Sequence, residues 1–162
     1  MGCDIHEHYE IWSGAAWTHV LIWPSLDWEN LTQEEEDAAF ETVGNHPAIL
    51  WRNYALFSVL ANVRNTFGII PISLPKGIPL DLSDSVKHKF ENYVEPWEHD
   101  ASWLSLKELL DFDWNRIIDE YRGNEFVTYR DAVDPFTTKT LPYLNSLVDD
   151  PAKLRIIFWF DN

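Results

Sequence analysis

The chain has 162 residues, the size of one ordinary domain that can bury a real core without staples. Apolar residues make up 46% and aromatics 15%, which excludes a disordered chain. Lys and Arg total 12 against 27 Asp and Glu, and the resulting net charge of -15 argues against direct nucleic-acid binding or attachment to an anionic membrane.

Residues 3–12 alternate and read as a β-strand. Cys3, Ile5, Glu7, Tyr9 and Ile11 fall on one face, and Asp4, His6, His8, Glu10 and Trp12 on the other. Ser13-Gly14-Ala15 is a turn signal, and Ala16 to Trp23 is a second apolar run, so the two form a β-hairpin that Pro24 stops. Residues 25–50 look irregular except for one short helix, which Thr32 and Glu35 open as a capping box. The spacing predicts a helix over 51–63 with Tyr54, Phe57, Leu60 and Ala61 on one face. Residues 65–82 read as a loop or strap, with Ile69-Ile70-Pro71-Ile72 as a short edge strand.

Ser83 or Asp84 caps a helix that runs to about Tyr93. Residues 95–100 read as a polar loop, and Ser105 caps a helix over 106–111. A further helix is expected from Asp111 or Asp113 to Tyr121, then a short strand over 125–129 and a helix over 138–148 interrupted by Pro142. The final run Leu154 to Phe160 is nearly continuous in apolar residues, so it reads as a central strand buried on both faces. The elements add up to an α+β fold in one domain spanning 1–162: a small sheet from the N-terminal hairpin and the C-terminal strand, covered by helices.

Three groups of residues can carry chemistry. Asp4, His6, His8 and Glu10 share a strand face, and imidazole with carboxylate suits a divalent transition metal such as Zn, Mn, Fe or Ni; Asp161 ends the last strand and can join that shell. The same residues can equally be a solvated polar face. His99 and Asp100 are a candidate catalytic acid–base pair, or simply loop and capping residues. Arg52, Asn53 and Arg64 bracket an apolar helix and can hold an anionic substrate, or pair with the excess carboxylates; Lys76 is a further candidate. Cys3 lies on the opposite face from Asp4 and His6 and is not favoured as a nucleophile.

The opening Met1-Gly2-Cys3-Asp4-Ile5-His6, the run Arg52-Asn53-Tyr54-Ala55-Leu56-Phe57, Ala61-Asn62-Val63-Arg64-Asn65, Pro75-Lys76-Gly77-Ile78-Pro79 and Ser102-Trp103-Leu104-Ser105-Leu106-Lys107-Glu108-Leu109 resemble a set of small proteins of bacteriophages and some bacteria. That resemblance implies a phage-encoded or phage-derived cytoplasmic protein and leaves the activity open. Asp4, His6 and His8 alone also resemble the first metal strand of PHP phosphoesterases and amidohydrolases, in which such a pair holds a metal that activates water.

Three functions follow as expectations. The first is a small metal-dependent hydrolase acting on an anionic small molecule, such as a nucleotide defence signal. The second is an acidic interaction protein that mimics DNA or inhibits a basic host protein. The third is a binder that sequesters a small molecule, such as a nucleotide, without turnover.

Overall fold

The computed structural model describes residues 2–22, 26–27, 29–93 and 95–162. The expected hairpin is present as β1 (Ile5–Trp12) and β2 (Trp17–Val20), paired antiparallel from Tyr9↔Val20 to Trp12↔Trp17. The proposed hairpin end at Trp23 and Pro24 lies outside the described residues. The C-terminal strand β6 (Leu154–Phe160) pairs with β1 along seven residues, from Ile5↔Phe160 to Ile11↔Leu154. On its other side lies β3 (His99–Ser105), giving a four-stranded antiparallel sheet in the order β2-β1-β6-β3. The fold is α+β, as expected.

Every residue of β6 is buried because both faces of the sheet are covered. Leu154, Ile156, Phe158 and Phe160 join the main core together with Cys3, Ile5 and Tyr9. That core also takes in α2 (Tyr54–Ala61), whose residues from Ala55 onward are all buried. Ile157 and Trp159 face the other way, against Val86 of α3 (Asp84–Tyr93), with Ile78, Leu82, Phe90 and Trp103 partly covering them. The capping box at Thr32 and Glu35 opens α1 (Gln33–Gly44), and Ser105 with Glu108 opens α4 (Leu106–Asp111) in the same way.

Several expectations need correction. The helix over 51–63 is only Tyr54–Ala61, and it is buried all round rather than on one face. Asn53 precedes it as the N-cap, accepting from Leu56 N at 3.1 Å, while Asn62 closes it in the left-handed region. Residues 69–72 form no strand. Their backbone is satisfied by side chains and a helix carbonyl instead: Asn65 brackets Ile69, Tyr129 Oη accepts from Ile70 N, and Ile72 N donates to Val59 O.

His99 and Asp100 begin the strand β3 rather than sitting in a loop. The expected helix through Tyr121 is absent. There the chain forms β4 (Ile117–Tyr121), which turns back onto β5 (Asn124–Thr128). The turn residues Arg122 and Gly123 both have positive φ, as a two-residue hairpin of the primed type requires. Past it lie α5 (Tyr129–Val133), a wide turn over Phe136–Thr140 and α6 (Leu141–Ser146), in place of one helix over 138–148.

Candidate ligand cleft and the polar end of the sheet

The polar face of β1 divides into three neighbourhoods. At its start, Arg52 grips both carboxylate oxygens of Asp4, with Nε to Oδ1 at 2.8 Å, and holds that carboxyl below its ordinary range. Asp161, one residue past β6, accepts from Asp4 N at 2.8 Å through Oδ1 and meets His6 Nε2 at 3.1 Å through Oδ2. Glu98 Oε1 lies 3.3 Å from the same imidazole nitrogen and also accepts from Trp159 Nε1 at 3.1 Å. Arg64 reaches Asn162 Oδ1 at 2.8 Å and approaches the buried thiol of Cys3, whose pKa burial raises. The antiparallel register brings the first residues of β1 beside the last residues of β6, so Asp4, His6, Asp161, Arg52 and Arg64 gather at one end of the sheet.

Glu10 is elsewhere. It stands opposite Arg155 in the register and is fully buried. Its carboxylate accepts from Arg155 Nε at 2.8 Å and from Ser83 N at 2.7 Å, and Arg155 Nη1 reaches on to Asp81 Oδ1 at 2.8 Å. The guanidinium lies 4.0 Å from the Trp17 ring centre. This arrangement bolts β1, β6 and the strap together, and it removes Glu10 from the proposed metal shell. The Asp4 carboxylate is likewise committed to Arg52. The five residues of that shell therefore do not form one donor set. Among the described residues, no three His, Cys, Asp or Glu side chains are arranged to hold a metal ion.

The other sequence candidates are also engaged. His99 Nδ1 and Asp100 Oδ2 meet at 2.6 Å, while His99 Nε2 is buried without a partner. Asn53 is a cap that also donates to Ala132 O at 2.9 Å. Lys76 pairs with Glu108 at 3.0 Å and lies over Trp103. Arg52 and Lys76 are thus each paired with a carboxylate and Asn53 with backbone, whereas Arg64 bonds the neutral Asn162 side chain.

The third neighbourhood is a cleft of about 710 Å3. β2 pairs only with residues 9–12 of β1, and no described strand flanks residues 5–8 on that side. The space beside this free edge is walled by Leu21 and Ile22, by Phe40 and Val43 of α1, and by Leu50 and Trp51, with His6, Glu7, His8, His19 and Lys89 also on its lining. The His8 and His19 rings meet edge to face at 5.3 Å, and His8 lies 5.1 Å from the Trp159 ring. His19 Nδ1 is 2.8 Å from Ser85 Oγ.

No hydrogen bond engages His8 among the described residues, and its nitrogens are not sealed from solvent. Burial, assisted by His19 and Lys89, pushes His8 down to about 3, so this imidazole is neutral at pH 7. Burial also lowers His19, again with Lys89 adding to the effect. Glu7 shows the mirror image. Burial pushes it up to about 8, against the opposing hydrogen bond from Leu50 N at 2.9 Å. Glu7 keeps some accessible surface at the cleft wall, so water entering the cleft moderates that shift.

No family model matches the chain, and neither a curated protein nor a solved structure matches it. Function is therefore argued from the site alone.

The cleft combines apolar walls with a few convergent polar groups whose protonation is displaced from the ordinary, the usual constitution of a small-molecule site. Sequence reasoning found His6 and His8 but missed Glu7, His19 and Lys89 as site residues. Glu7 had one signal, as the charged interruption of an otherwise apolar strand face. His19 and Lys89 had none, because the hairpin register and the docking of α3 bring them to β1. No helix among the described residues is long and apolar enough to cross a membrane.

Proposed function

We propose that this protein binds a small organic molecule in the cleft beside the free edge of β1. The observation that carries the reading is that Glu7, His8 and His19, all displaced toward their neutral forms, face one apolar-walled space of about 710 Å3. That volume falls in the range of about 300–1,000 Å3 typical of ligand pockets. Charged groups tuned to neutrality in a cleft favour a ligand that offers hydrogen bonds within an apolar body. Of the three expectations, sequestration of a small molecule fits this arrangement best.

Hydrolytic turnover is a second reading, favoured by one observation. His6 lines the cleft, and its Nε2 is held 3.1 Å from Asp161, a geometry that orients an imidazole for proton transfer. The metal-assisted form of that chemistry, which the Asp-x-His-x-His spacing suggests, asks for Asp4 and Glu10 as well. Both are committed to arginines, so the reading rests on His6 and Asp161.

The test is a fragment screen by ligand-observed NMR on the wild type and on Gly44→Leu. Gly44 lines the cleft, and a Cβ there would meet only the Trp51 ring, at an ordinary 3.6 Å, so the added side chain crowds the cleft without forcing the backbone. Fragments that bind the wild type and are lost from a normally folded Gly44→Leu protein support the proposal. An absence of binders, or binders retained in full by the variant, rejects it. Mass spectrometry of the bound molecules after incubation separates sequestration from turnover.

A further inference from the structure

The cleft has chemically different ends, and this difference constrains what it can hold; the inference rests on the small-molecule reading above. Lys89 is half-buried on the cleft lining and forms no ion pair among the described residues, in a chain with 27 carboxylates and 12 Lys and Arg. Two residues earlier on the same helix, Lys87 does pair, with Glu91 at 3.9 Å. Lys89 is close enough to His8 and His19 to depress the protonation of both. A cationic ammonium beside two imidazoles repels a metal ion and attracts an anion.

Each neutral imidazole can donate one N–H. His8 is free to do so, and His19 keeps Nε2 after its contact with Ser85. An arriving anion also favours protonation of both rings, which strengthens the attraction. The opposite end behaves differently. There His6 is already occupied by Asp161 and Glu98, whose carboxylates repel an anion. Burial raises the proton affinity of Glu7, which lessens the repelling charge it presents to an anion. The remaining wall, formed by Ile5, Leu21, Ile22, Phe40, Val43 and Leu50, is apolar.

We infer that the cleft takes an amphipathic anion, with a single carboxylate or phosphate-ester head on Lys89, His8 and His19 and an uncharged apolar body against Ile5, Leu21, Ile22, Phe40, Val43 and Leu50. The head supplies orientation through charge-assisted hydrogen bonds, and the body supplies most of the binding free energy through burial. A free inorganic ion lacks the body, and a neutral alcohol lacks the head.

Isothermal titration at pH 7 with decanoate, decyl phosphate, decanol, acetate and inorganic phosphate tests the inference. One of the two anionic decyl probes binds at least about tenfold tighter than decanol, and neither acetate nor inorganic phosphate binds. Comparing decanoate with decyl phosphate tells which head the site prefers. Lys89→Met weakens the anionic probe by about tenfold relative to decanol. Because Lys89 is only half-buried, Met can take its place along the same stem without unfolding the helix.

Decanol that binds as tightly as the anions, or a Lys89→Met protein with undiminished affinity for them, overturns the head-group subsite and leaves the cleft reading standing. Failure of every decyl probe to bind also overturns the inference; the fragment screen on Gly44→Leu then decides the cleft reading by itself.

Discussion

The unusual protonation of Glu7 has a thermodynamic signature that needs no ligand. The folded protein holds this carboxyl at about 8, against an ordinary value of 4.5. Between those values the native state keeps a proton that the unfolded chain has released. By linkage, stability contributed by that proton is present in full below about pH 4.5 and is lost as pH rises toward 8. The whole window is worth at most about 5 kcal/mol, at about 1.4 kcal/mol per pH unit. Access through the cleft reduces this, and about 2 kcal/mol at pH 8 is a reasonable magnitude.

Glu7→Gln removes the ionisation while keeping the oxygen that accepts from Leu50 N. The variant is therefore more stable than the wild type at pH 8 by about 2 kcal/mol, or about 4–8 °C in Tm, and the difference vanishes near pH 5. Urea unfolding of both proteins at pH 5, 6, 7 and 8 measures it. Parallel pH profiles for the two proteins would refute the idea that burial keeps this carboxyl neutral.

Other substitutions probe the rest of the account. Arg155→Met leaves the fully buried Glu10 without its cation and costs about 3–5 kcal/mol, read as a lowered urea midpoint; Glu10→Gln/Arg155→Met recovers most of the loss, and a single variant as stable as the wild type contradicts the bolt described above. Asn53→Ala removes the cap of α2 and the bond to Ala132 O together, which lowers stability by about 1–2 kcal/mol in thermal unfolding. His8 acts opposite in sign to Glu7. Its folded value near 3 lies below the ordinary 6.5, so stability is lost as pH falls from 6.5 toward 3, and His8→Phe makes the acid side of the stability profile shallower; an unchanged acid limb would count against a neutral buried imidazole. Asp4→Asn breaks an ion pair that is about half exposed and costs less than about 1 kcal/mol, so a collapse of the fold in that variant would assign the pair a weight its exposure does not support.

Much of the fold was legible because local patterns and tertiary packing agree. The alternation of residues 3–12, the Thr32–Glu35 and Ser105–Glu108 capping boxes, and the continuous apolar run of β6 all became what their periodicity predicts. Errors arose where long-range partners decide the backbone. The segment from Asp111 or Asp113 to Tyr121 read as helix because either aspartate resembles a cap, whereas Arg122 and Gly123 adopt the turn that folds residues 117–121 back onto the strand at 124–128. Residues 69–72 have strand-like side chains, but Asn65 and Tyr129 satisfy their backbone first.

The candidate site divides in the same way. Alternation put Asp4, His6, His8 and Glu10 on one face, and the register of β6 brings Asp161 to His6 as anticipated. The same register sets Arg155 opposite Glu10, and the position of Arg52 commits Asp4. A strand pattern reports which way side chains point. It does not report which partner from a distant segment reaches them first, and in this chain two arginines do.

The central claim is that the cleft beside β1 is where this protein meets its ligand. Backbone amide chemical-shift mapping with a mixed set of neutral and anionic fragments tests it most directly. The account predicts that perturbations concentrate at Leu21, Ile22, Val43, Gly44 and Leu50, with the β4–β5 hairpin and His99 unmoved. Perturbations centred on that hairpin or on His99, or none at any fragment concentration short of nonspecific binding, would contradict it.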